Sequence, residues 1–103
     1  MYKLTFQVPV EDAESVKEAV FETGAGRIGH YQACCFQVQG LGQFRPLEGA
    51  HPHIGRVGEL EVVPELKVEL VCDDDTIHAA IAALKLAHPY EEVAYAAWAL
   101  ADL

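Results

Sequence analysis

Every glycine of this chain, eight in all, lies between Gly24 and Gly58. Glycine weakens helix and strand interiors and supplies the turns that other residues resist. The stretch GAGRIGHYQACCFQVQGLGQFRPLEGAHPHIGRVG is therefore read mainly as loop, and the regular framework is sought around it. All three arginines (Arg27, Arg45, Arg56) and three of the five histidines (His30, His51, His53) share the stretch, whose only acid is Glu48. Three Arg against one acid give it a charge of +2; four Lys against fifteen acids give the remainder −11, and together they make the net −9. A basic, glycine-rich loop in an acidic chain is the candidate functional surface.

Tyr2, Leu4, Phe6 and Val8 alternate with Lys3, Thr5 and Gln7. That is the period of a half-buried strand, which Pro9 ends. Glu11 to Thr23 carries Ala13, Val16, Ala19 and Val20 at helical spacing, with Glu11, Asp12 and Glu14 complementing the dipole in the first turn. Gly24 follows as a C-terminal stop. The run Gly24-Ala25-Gly26-Arg27-Ile28-Gly29 has G-x-G-x-x-G spacing. A dinucleotide fingerprint leads from a strand into a helix, and this one follows a helix. It is read as a cap plus a tight turn.

Tyr31 to Val38 alternates as a second strand, with a bulge or bend expected at Gly40-Leu41-Gly42 and a brief continuation at Gln43-Phe44-Arg45. Pro46 to Gly58 is too punctuated for a regular element. Glu59 to Val63 and Leu66 to Cys72 read as strands on either side of Pro64. Asp73-Asp74-Asp75-Thr76 opens a second helix to about Ala87, whose inner stripe is Ile77, Ala80, Ile81 and Leu84. Pro89 biases His88 out of helical geometry, and Val93 to Leu100 is the last strand.

This order predicts one α+β domain spanning residues 1–103. It is a ferredoxin-like split βαβ sandwich, an antiparallel sheet with both helices on one face, plus an extra short strand pair at the glycine-rich loop. The other sheet face is left open. Thr5, Gln7, Gln37 and Lys67 are expected to project there, solvated or packed on a partner subunit.

Net charge −9 disfavours nucleic acid, which needs clustered Lys and Arg, and it disfavours an anionic membrane surface. No run reaches the roughly 18 apolar residues of a membrane span. The alternating N-terminus has no signal-peptide core, so the expectation is a cytoplasmic protein. Cys34, Cys35 and Cys72 form no C-x-x-C pair and read as reduced, buried or half-buried thiols.

Four residue sets can carry chemistry. His30, His51, His53, His88, Glu91 and Glu92 form a set whose imidazoles and carboxylates suit a divalent metal such as zinc. The alternative is loop histidines with no shared ligand. Arg45 and Arg56 flank a loop whose glycines, Gly42 and Gly55 among them, allow close backbone approach to a small anion. The alternative is pairing with Glu48, Glu59 or Glu61. A nucleophilic Cys34 or Cys35 lacks any spaced base. His88-Pro89-Tyr90-Glu91-Glu92 is either a rigid turn or one wall of an intersubunit pocket.

Taken together, Gly24 to Tyr31, Cys34, Gly40 to Pro46, Gly49 to Gly55, Gly58 to Glu61 and His88 to Tyr95 resemble the inserted middle domain of the YqfO-type proteins. Those are the longer bacterial members of the Nif-three-like family. The resemblance runs from Tyr2 to Trp98. It implies a fold like those of CutA and the PII signalling proteins, which are commonly trimeric. The family's dinuclear metal centre lies in flanking halves outside this sequence, so no metal ligand or catalytic residue is carried over. The resemblance thus implies a non-enzymatic, regulatory or assembly-related domain. The expectation is a self-assembling ligand- or metal-sensing module, a trimer above other oligomers. Its site is lined by Arg45, Arg56, Gly42, Gly55, Glu91 and Glu92, with His51, His53 and His88 as metal ligands. The alternatives are a small metal-dependent hydrolase and a structural partner domain of a larger protein.

Overall fold

The structure, a computed structural model, describes residues 1–103. Its elements are β1 (Tyr2–Pro9), α1 (Ala13–Glu22), β2 (Phe36–Phe44), β3 (Glu61–Cys72), α2 (Ile77–Ala87) and β4 (Tyr95–Ala99), with a 3-10 turn at Val10–Asp12 before α1. The four strands form one sheet in the order β2-β3-β1-β4, and every neighbouring pair is antiparallel. This is the ferredoxin-like split βαβ topology that the element order predicts.

The core lies between the helices and one sheet face. Leu4, Phe6 and Val8 of β1 and Val68, Leu70 and Cys72 of β3 pack with Val16 and Val20 of α1 and with Ile77, Ala80 and Leu84 of α2. Each is at most 3% exposed. β1 is the central strand, so its alternation is the cleanest in the sequence. Gly24 caps α1 at φ +100° as expected. Gly26, at φ +79°, is also a point of close approach: a Cβ there would lie 2.8 Å from the Phe21 ring and 3.0 Å from the Cys34 carbonyl oxygen. Its N–H donates to the Val71 carbonyl, which ties the turn to β3.

Three local expectations are corrected. β2 begins at Phe36 rather than Tyr31, so Cys34 (half-buried) and Cys35 (exposed) precede the strand. The β2–β3 ladder advances residue for residue from Phe36 opposite Glu69 to Phe44 opposite Glu61, with no bulge at Gly40-Leu41-Gly42. Pro64 does not split β3, because β1 ends at the Pro9–Glu65 pair and leaves β3 without a neighbour on that side. The extra strand pair expected at the loop is the outer end of this same long hairpin. It extends past the helices and makes the molecule elongated, at 46 × 24 × 23 Å.

The open sheet face also differs. Gln37 pairs with Val68 on the helix side, where its Oε1 accepts from Lys17 Nζ at 2.9 Å. Phe36 and Val38 take the open side instead, beside Glu69 and Lys67, and Trp98 lies opposite Lys3. Lys3, Glu69 and Lys67 form an ion-paired ridge between these apolar side chains.

Candidate functional site

At the end of the sheet where β1 stops, the outer hairpin, the following loop and the His88–Ala94 segment enclose a cleft of about 410 Å³. Strand alternation from the buried Phe6 and Val68 directs Gln7, Glu65 and Phe44 to the open face, and all three line the cleft. The loop adds Arg45, Pro46, Leu47, Pro52, His53 and Ile54, and the last turn adds Tyr90, Glu91 and Glu92. The loop is anchored by its own backbone: Gly58 N–H donates to the Pro46 carbonyl at 2.7 Å. It is joined to the HPYEE turn where the His51 N–H donates to Glu91 Oε1 at 2.9 Å. The glycine-rich block and HPYEE, distant in sequence, therefore build one site.

Tyr90 is its hub. Its ring meets His88 (centroids 4.9 Å apart), Phe44 (5.9 Å) and His53 (6.3 Å). Its hydroxyl is buried without a hydrogen-bond partner. Burial, with the nearby Glu65 and Asp12 charges, pushes the phenol up to about 12. Asp12 Oδ2 is likewise buried and unpartnered. Burial also raises the Glu65 carboxyl above the ordinary range.

His88 is 5% exposed and fully committed. Its Nε2–H donates to the Gln7 carbonyl at 2.8 Å, and its Nδ1 accepts from the Tyr90 N–H at 3.1 Å. That fixes the neutral tautomer and leaves no lone pair for a metal. Burial lowers its pKa, against the Gln7 hydrogen bond and the Asp12 charge.

The expected site residues divide clearly. Arg45, Glu91, Glu92 and His53 line the cleft. Gly42 lies beneath it, with the Glu65 side chain crossing where a Cβ would stand. Arg56 is outside, and Gly55, at φ +95°, is covered by Glu61. His51 contributes its N–H rather than its imidazole. No three His, Cys, Asp or Glu side chains gather at metal-binding distances, so the residues present do not fit a metal held by His51, His53 and His88. Arg27, Arg45 and Arg56 make no ion pair within the chain, so the alternative of pairing with Glu48, Glu59 or Glu61 does not hold. Glu65, Phe44 and Gln7 were not singled out by the sequence. Only the strand register brings them to this end of the sheet.

The fold is that of a CutA-type ferredoxin-like domain. CutA1 from Pyrococcus horikoshii superposes with a TM-score of 0.70 over 100% of this chain and 86% of its own, at 17% identity. No protein-family model matches the chain. It is 50% identical to the GTP cyclohydrolase 1 type 2 homolog of Bacillus subtilis over 93 residues, which are 90% of this chain and 25% of that protein. The Bacillus cereus protein related to NIF3 superposes with a TM-score of 0.83 at 40% identity, over 98% of this chain and 26% of its own. The chain thus spans about a quarter of the length of the curated relatives it matches, and it is related to that one segment of NIF3-type proteins. No helix is long and apolar enough to cross a membrane.

Proposed function

We propose that this chain is a non-enzymatic, CutA/PII-like regulatory domain of the cytoplasm that binds a small organic anion and self-assembles, as a trimer. The carrying observation is the cleft itself. Its walls are largely apolar, and Arg45 and Glu65 stand at it without an ion-pair partner. Apolar walls with a few convergent polar groups are the usual form of a small-molecule site. Self-assembly is supported by the open sheet face, where Phe36, Val38 and Trp98 are 68%, 48% and 47% exposed. The cleft opens on that same face, so a second copy there would wall it. The family resemblance favours three copies.

A metal fits this geometry less well than an organic anion, since His88 has no free nitrogen and no ligand trio forms. A purely structural partner role is the second reading. It is favoured by the chain's likeness to one quarter of longer proteins. Native mass spectrometry of the protein as purified separates the two. The expected result is three times the 11.3 kDa chain mass, with added mass that mild unfolding removes. A bare monomer would overturn the sensing reading and leave the partner role.

A further inference from the structure

The polar groups that the cleft leaves unanswered define what it accepts, given the reading above that it is a ligand site. Phe44, Pro46, Pro52, Ile54 and the Tyr90 ring supply flat apolar walls. The Glu65 carboxylate, which lines the cleft, makes no hydrogen bond or ion pair within the chain. The remaining charged group of opposite sign is Arg45, exposed and unpaired. Glu91 is already engaged by the His51 N–H, and Glu92 is a second, exposed and unpaired carboxylate of the lining.

Glu65 reaches the cleft because of a glycine. Gly42 pairs with Val63, so Glu65 is its diagonal neighbour on the same face. A methyl group on Gly42 would overlap Glu65 Oε1 and crowd its Cδ, so the carboxylate lies across β2 only over bare backbone. Gly42 is not among the positive-φ glycines and sits in a regular ladder. Its backbone does not require glycine; a Cβ there would displace the flexible end of the Glu65 side chain from its place across β2.

We infer that the cleft binds a planar heteroaromatic ring with amino or ring N–H donors on one edge and an anionic group on another. Glu65 takes the donor edge, the Phe44 and Tyr90 rings form the apolar wall beside the ligand ring, and Arg45 pairs with the anion. Gly42 is the specificity-determining residue, because it places Glu65. A plain aromatic anion lacks the donors and leaves Glu65 desolvated and unanswered, which costs affinity.

The test titrates 2-aminopyrimidine-5-carboxylate, benzoate and 2-aminopyrimidine into the full chain and follows backbone amide shifts by NMR. The aminopyrimidine carboxylate is expected to bind roughly tenfold tighter than benzoate, the value of one charge-assisted hydrogen bond. In Gly42→Ala, and in Glu65→Gln, that advantage disappears while benzoate binding persists. Arg45→Gln instead removes the advantage of the carboxylate over 2-aminopyrimidine. Equal affinity for benzoate and the aminopyrimidine carboxylate, or an advantage that survives both Gly42→Ala and Glu65→Gln, overturns the ligand class and leaves a plain anion cleft. Absence of shifts at the cleft with all three compounds overturns the ligand site as well.

Discussion

His88 shows what the HPYEE motif does at the level of a single side chain. Its two ring nitrogens bridge β1, through the Gln7 carbonyl, to the backbone of Tyr90, and so aim the Tyr90 ring into the cleft. Protonation of Nδ1 would break the second bond. Burial accordingly lowers the folded-state pKa, while the unfolded chain takes up its proton near 6.5. Between the two values the unfolded state holds more protons, so stability falls as pH falls through that window. His88→Gln lacks this titration. The melting-temperature gap between wild type and His88→Gln should therefore narrow from pH 7 to pH 5, as read by scanning calorimetry. A constant gap would mean that His88 titrates alike in both states. The sequence marks HPYEE as unusual, but its imidazole reads there as a free ligand. Only the contact with Gln7, far away in the chain, shows it to be a strut.

The long hairpin and α2 show how far local pattern carries. Alternation in β1 and the stripe on α2 are visible because each packs one side on a core and turns the other elsewhere. The helix prediction can be tested on that stripe. Leu84 is fully buried against the sheet, and Leu86, two residues on, is 90% exposed. Leu84→Ala should cost about 2–5 kcal/mol in urea unfolding. Leu86→Ala should stay within about 0.5 kcal/mol. Similar losses at both positions would contradict the stripe. The β2–β3 hairpin is less legible for a physical reason. Its outer half has no core to pattern against, and glycine and proline there read as breaks. Gly42 instead makes room for Glu65, and Pro64 is tolerated on a strand edge. The candidate site is built from this least patterned half, so its loop was legible and its carboxylate was not.

For the whole molecule the unresolved demand is the sheet face opposite the helices. Lys3, Glu69 and Lys67 run along it as an ion-paired ridge, with Phe36 and Val38 on one flank and Trp98 on the other. Partly solvated ion pairs of this kind contribute little to stability, whereas large apolar side chains left half open favour burial by a partner. The net charge of −9 opposes association, so an interface needs this apolar surface to offset repulsion. Val38→Lys probes it directly. Val38 lies opposite Lys67 in the ladder, so the substitution adds a like charge beside Lys67 and removes an apolar contact from the face. Because Val38 is 48% exposed and outside the core cluster, the fold should survive, with an unchanged far-ultraviolet spectrum. Light scattering after size exclusion should then show the mass drop from the oligomer to the 11.3 kDa chain. If Val38→Lys keeps the wild-type oligomeric mass, assembly does not use this face, and the cleft that opens on it is complete within one chain.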